Sequence, residues 1–260
     1  MARTLPVFCY HSVSDDPPAW IAPYTVTPRD FARQLRLIRA GGRTVIPLRQ
    51  LVSALRGGPP VPERAAVITF DDGYADFATA AAPLLARHDA PASVFVTTGA
   101  VLPHVTTRSF LPPADMLSAR QIRELDQADF DIGAHSRTHP HLEAVTPDVA
   151  LREIAESKRE LEDILGHTVP HFAYPRGSSS RAVRRAVREA GFSAACAVGN
   201  VLSSDRDDPV RIRRLLVQST TSDQQFRSWV QERSTCRPLR GVQELALRTV
   251  RRNRPGIKKT

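Results

Sequence analysis

The sequence predicts one α/β domain built on a parallel sheet, either open or closed into a barrel. Three observations carry that prediction. Short β-rich runs alternate with helical patterns along most of the chain. The 260 residues suffice for one large core, and neither a linker nor an internal repeat divides them. The composition is globular, with 42% hydrophobic and 24% charged residues.

The elements follow in order. Run 5–11 (LPVFCYH) is apolar and strand-like. Run 28–40 repeats apolar residues at helical spacing, with Thr27 as cap, Pro28 at the first position and Gly41-Gly42 as the stop. A short strand at 44–46 and a short helix at 48–55 come next. Run 65–70 (AAVITF) reads as the clearest buried strand. An alanine-rich helix is expected over 74–88, a strand over 92–98 and a proline-rich loop over 101–113. A helix at 118–127 and a strand at 129–135 precede the longest helix, opened by Thr146-Pro147 and closed by Gly166. Strands at 170–175, 192–198 and 210–217 alternate with helices at 180–190 and 223–232.

Charge and cysteine content exclude several classes. Lysine plus arginine number 36 against 27 aspartates and glutamates, a net charge of +9. The densest basic run is Arg248, Arg251, Arg252, Arg254, Lys258 and Lys259. It reads as a solvated tail that can also meet acidic lipid headgroups. No zinc-finger spacing or aromatic RNA-binding motif accompanies it, so nucleic acid is not an expected partner. The three cysteines, Cys9, Cys196 and Cys236, make neither a disulfide framework nor a thiolate zinc site. With no signal peptide visible and no apolar run near the roughly 20 residues of a membrane span, a cytoplasmic protein is expected, at most peripheral to a membrane.

In a barrel, chemistry gathers where strands end. Four strand ends here are polar: His11, Asp71-Asp72-Gly73, the 135–139 segment (HSRTH) and the 174–177 segment (YPRG). His135 and His139, four residues apart, can reach one ion, and two histidines with a carboxylate form a common catalytic metal arrangement. The bland alternative is a pair of surface histidines. Asp71 and Asp72 raise each other's pKa unless a cation separates their roles, which would leave one as ligand and one as base. The bland alternative there is a helix cap.

Together these segments resemble the polysaccharide deacetylases, the NodB-homology or carbohydrate esterase family 4 enzymes. Residues 69–73 match the family's T-F-D-D-G motif at every position, and residues 135–142 match H-[ST]-x-x-H followed by P-x-L. Residues 172–177 resemble its F-x-x-P-x-G motif. The resemblance implies a distorted (β/α) barrel of about seven strands over residues 1–235, with 236–260 as the basic tail. It implies Asp71 as general base, Asp72, His135 and His139 as metal ligands, and the Tyr174 backbone N–H as oxyanion donor. The cofactor implied is a divalent metal, zinc first, with Co2+ or Ni2+ as alternatives.

Two departures qualify the match. Ala173 stands where many members carry an arginine that holds the base. All eight histidines lie at or before His171, so none supplies a catalytic histidine near the C-terminus. A permuted branch, the poly-N-acetylglucosamine deacetylase-like proteins, has its acid histidine near the start in a Y-H-x-V segment, which Tyr10-His11-Ser12-Val13 resembles. By that likeness His11 becomes the acid and Arg214 the replacement guanidinium, with Arg211 and Arg213 as rivals. Trp20, Tyr74 and Tyr174 are candidate substrate contacts, and Tyr24 is a further aromatic near His11. The implied activity is metal-dependent removal of N-acetyl groups from amino sugars of a polysaccharide or glycoconjugate. The alternatives are deacetylation of a small acylated sugar or natural product, and a catalytically inactive sugar-binding relative.

Overall fold

A computed structural model describes residues 3–102 and 109–233. Seven strands form its centre: β1 (Val7–Tyr10), β2 (Ala65–Phe70), β3 (Ser93–Val96), β4 (Asp131–Ala134), β5 (His171–Ala173), β6 (Ala194–Val198) and β7 (Ile212–Leu216). Each pairs in parallel with the next in sequence. β7 then pairs with β1, Leu215 opposite Phe8, and the barrel closes as the resemblance implied. Around it lie α1 (Pro28–Ala40), α2 (Leu48–Leu55), α3 (Ala82–Arg87), α4 (Thr98–Val101), α5 (Ala119–Gln127), α6 (Pro147–Leu165), α7 (Arg181–Glu189) and α8 (Asp223–Val230). His104, Cys236 and the basic tail fall outside the described residues.

Strand alternation sorts the core into two parts. Phe8, Tyr10, Ala66, Ile68, Phe70, Val94, Val96, Phe172 and Tyr174 face the helices and join one apolar cluster. Val7, Ala65, Val67, Phe95, Ala173, Ala194, Cys196 and Ile212 face the barrel axis and join a second. Leu48, Leu51 and Val52 of α2 belong to that second cluster, so α2 closes the N-terminal end of the barrel. Continuing the same alternation past the apolar stretch puts Cys9, His11, Thr69, Asp71, His135 and Arg214 on the inward set at the other end.

Local chemistry explains where the elements stop. Thr27 caps α1 by accepting the Asp30 N–H, and Gly166 ends α6 with a left-handed φ of 76°. The helix expected over 74–88 is split. A wider π-type turn (Phe77–Ala81) precedes α3, because Pro83 has no N–H for a regular helical bond. The strand expected over 92–98 ends at Val96: the Thr97 and Thr98 carbonyls accept the Ala100 and Leu102 N–H groups at 3.1 and 2.9 Å, and α4 begins instead.

Candidate active site

β2 delivers both carboxylates. Asp71 continues the ladder, its N–H bonded to the Tyr10 carbonyl at 2.9 Å. Asp72 then takes φ 74° and Gly73 φ 87°, and the chain turns. A Cβ on Gly73 would press on Val96 at 3.3 Å, so the turn is tight against β3 as well as left-handed. The two adjacent carboxylates thus receive different surroundings.

Asp71 faces Arg214. The guanidinium donates from Nη1 to Oδ1 at 2.6 Å and from Nη2 to Oδ2 at 2.7 Å, and also to the Thr69 hydroxyl at 3.1 Å. Arg214 is fully buried, with its guanidinium carbon 5.6 Å from the Phe95 ring centre. The Cys9 thiol lies 3.4 Å from Asp71 Oδ2. Burial alone would raise the Asp71 pKa; Arg214 overcomes it and holds the carboxyl below its usual value. Of the rival arginines, Arg213 pairs with Asp207 at 2.9 Å, and Arg211 is exposed.

Asp72 faces the two histidines. Its Oδ1 lies 3.3 Å from His135 Nε2 and 3.3 Å from His139 Nε2, yet this buried oxygen takes part in no aligned hydrogen bond. His135 Nδ1 is 2.9 Å from the Ala173 carbonyl, an acceptor, so Nδ1 carries a proton and Nε2 is the ring atom aimed at Asp72. Donor atoms of Asp72, His135 and His139 converge within 4.8 Å, a fit for a divalent cation in a two-histidine, one-carboxylate site. Burial pushes the Asp72 pKa up, but the two imidazoles outweigh it and hold Asp72 well below the carboxylate range. Cys9, His11 and Asp71 also cluster, but Arg214 occupies both Asp71 oxygens and burial keeps the Cys9 thiol protonated. That trio does not suit a cation.

His11 sits at the end of β1, its buried Nδ1 without a hydrogen-bond partner. Burial lowers its pKa against the pull of Asp72 and Asp71. The Tyr24 ring lies 5.3 Å away, and Trp20 packs against Tyr74 at 5.9 Å. Trp20 is half-buried, whereas Tyr74 is 4% exposed, so Trp20 and not Tyr74 has ring surface open to a ligand. His141 lies 3.1 Å from the Ser178 hydroxyl and stands apart from the ligand trio.

Tyr174 requires a correction. Its N–H donates to the Cys196 carbonyl at 3.0 Å, so it belongs to the β5–β6 ladder and is not free for an oxyanion. Its side chain follows Phe172 on the helix-facing side, is fully buried, and donates to the Val210 carbonyl at 2.8 Å. It therefore has no open surface for substrate either.

Two supports were not foreseen. Asp76 accepts from the Ser12 hydroxyl at 2.5 Å and the Val13 N–H at 3.2 Å, tying the segment after His11 to the helix after Asp72. Glu153, Glu156 and Glu160 form one face of α6 and grip the turn that carries His139. Their spacing of three and four is a helical stripe visible in the sequence, but its partner is not.

A closed parallel barrel with a buried ion-paired carboxylate and a metal-suited trio at one mouth defines the class. The polysaccharide deacetylase family model matches residues 58–195, more than half of the chain, and the chain belongs to that family. The Bacillus subtilis protein YxkH is 24% identical over 188 residues, covering 72% of this chain but only 62% of its own length. The poly-beta-1,6-N-acetyl-D-glucosamine N-deacetylase of Staphylococcus epidermidis is 23% identical over 219 residues, covering 80% of this chain and 73% of the relative. The structure of IcaB from Ammonifex degensii superposes with a TM-score of 0.75 and 25% identity, covering 88% of this chain and 97% of that one.

Proposed function

We propose that the protein hydrolyses N-acetyl groups from amino sugars of a polysaccharide or glycoconjugate in a metal-dependent reaction. The observation that carries this is the pairing, at one barrel mouth, of the Asp72–His135–His139 trio with a separate carboxylate, Asp71, held by Arg214. A divalent cation held by Asp72, His135 and His139, zinc being the best match to that donor set, supplies Lewis-acid polarisation of the amide carbonyl and of a water molecule. Asp71 accepts the proton of the attacking water. Arg214 orients both of its oxygens and keeps it in the ionised, proton-accepting form, while lowering its basicity. His11, on the neighbouring strand, donates a proton to the leaving nitrogen. Its lowered pKa makes its protonated form a stronger acid, and a less populated one at neutral pH. Acetate and a free amine are the products. Trp20 offers an apolar ring face to a pyranose.

The name of the Staphylococcus epidermidis relative supports a poly-N-acetylglucosamine substrate over a monomer. Acetate release from oligomeric N-acetylglucosamine should exceed release from the monomer. It should vanish in Asp72→Ala and His139→Ala, both of which should also lose bound zinc by elemental analysis. Full zinc occupancy in either variant would remove that residue from the ligand set, and a zinc-loaded wild type that binds oligomer without turnover would favour the sugar-binding reading. His11→Ala should slow amide cleavage by about 10²–10⁴-fold. Cleavage of an activated aryl acetate, whose leaving group needs no proton, should slow by far less. Equal losses on both substrates would count against the acid role.

A further inference from the structure

We propose that Glu153 of α6 is a positioning residue that holds the 136–139 turn in the shape that aims His139 at Asp72, an inference that rests on the metal reading above. The turn contains two non-glycine residues in the left-handed region, Ser136 at φ 60° and His139 at φ 63°. Such conformations persist when surrounding contacts over-determine them. Two of the contacts go to one side chain, Glu153, while the Arg137 and Thr138 carbonyls accept the Gly99 and Phe110 N–H groups, each at 2.7 Å. The Thr138 N–H donates to Glu153 Oε2 at 2.7 Å, and the Thr138 hydroxyl donates to Oε1 at 2.6 Å. The Arg137 N–H donates to the Glu153 main-chain carbonyl at 3.1 Å. Both residues before His139 are thus fastened to one turn of the longest helix. Glu156 and Glu160 bind the Arg137 guanidinium, each at 2.9 Å, and hold a side chain instead of the backbone beside His139.

The two histidines differ in this respect. His135 is set by the sheet: its N–H bonds the Val96 carbonyl at 2.9 Å and its Nδ1 the Ala173 carbonyl at 2.9 Å. His139 has its own N–H on the Ser136 hydroxyl at 3.0 Å and the preceding Thr138 carbonyl on the Phe110 N–H at 2.7 Å, and for the rest depends on the turn fastened to α6. Loss of Glu153 should therefore weaken one ligand of three and leave the fold and His135 in place.

Zinc affinity of the full chain, measured by competition with a chromophoric chelator, tests this. Glu153→Ala is expected to bind zinc about 10–100-fold more weakly than wild type, the range for loss of an outer support of a metal ligand. Glu153→Gln, which keeps an acceptor oxygen, should recover part of the loss. Thr138→Val, which removes only the hydroxyl contact, should show a smaller loss. In Glu153→Ala the second substitution should add nothing, since the shared contact is already gone. Circular dichroism and apo-protein melting report folding; if Glu153→Ala fails to fold, Glu153→Gln and Thr138→Val carry the comparison. Wild-type binding with unchanged affinity in the folded variants would overturn the positioning role alone. Failure of the wild type to bind zinc would overturn the metal reading and this inference with it.

Discussion

Replacing Asp71 with asparagine is expected to lower kcat for acetate release by about 10²–10⁴-fold, the contribution of a positioned proton acceptor. Zinc content should stay at the wild-type level. Asparagine has nearly the shape of aspartate and can still accept a hydrogen bond from Arg214, but it takes up no proton at neutral pH. Asp72, His135 and His139 keep their contacts with one another, and the one link to Asp71 is the 4.0 Å approach of His135 Nε2 to its Oδ2. The substitution also leaves a fully buried guanidinium without its counter-ion. Removing one partner of a buried pair costs about 3–5 kcal/mol, somewhat less where the amide oxygen keeps one bond. Kinetics, elemental analysis and urea unfolding on one preparation separate these effects. A near-wild-type rate would remove Asp71 from the role of base.

Arg214→Met is expected to be the most destabilising substitution at the site, by about 3–5 kcal/mol at neutral pH. It leaves Asp71 buried with only the Cys9 thiol at 3.4 Å and His135 Nε2 at 4.0 Å in place of a bidentate guanidinium. The pH dependence has a definite sign. In the wild type the Asp71 pKa is depressed, so the pair's contribution is present above the unfolded-state pKa of about 3.9 and is lost as pH falls through the lower folded value. In the variant burial is opposed only by the charges of His135 and His11 and raises the pKa, so ionisation above the unfolded value becomes a cost. The gap in unfolding free energy between the two proteins should therefore be widest near pH 7 and narrow below about pH 4. A gap that stays constant with pH would show that Arg214 does not serve the Asp71 charge.

Much of the architecture was legible because local chemistry and tertiary packing agree. α1, α2, α6 and β2 lie where the apolar spacing sets them, and caps or glycines bound the two longest helices. Disagreement arose where a partner distant in sequence decides. The Tyr174 N–H sits just past a strand end, yet Cys196 of β6, in register with Ala173, takes its bond. Asp71, Asp72, His135 and His139 were readable from their motifs, and Arg214 from a segment that resembled a family branch. Strand alternation gives Arg214 a physical reason as well. It shares parity with Ile212, whose side chain lies inside the barrel, whereas Arg213 points away. Glu153 was hidden because a helix face reveals its own stripe but not the loop it will meet.

The carboxylate of Asp71 and the guanidinium that neutralises it are separated by 143 positions. A ribosome adding roughly 5–20 residues per second needs about 7–30 seconds to travel between them. Throughout that interval a nascent chain carries the acid without its cation, and β1 lacks one of its two neighbours. The proposed base is therefore finished by the last barrel strand to be synthesised, and until then its carboxylate is charged in water but has no fixed orientation.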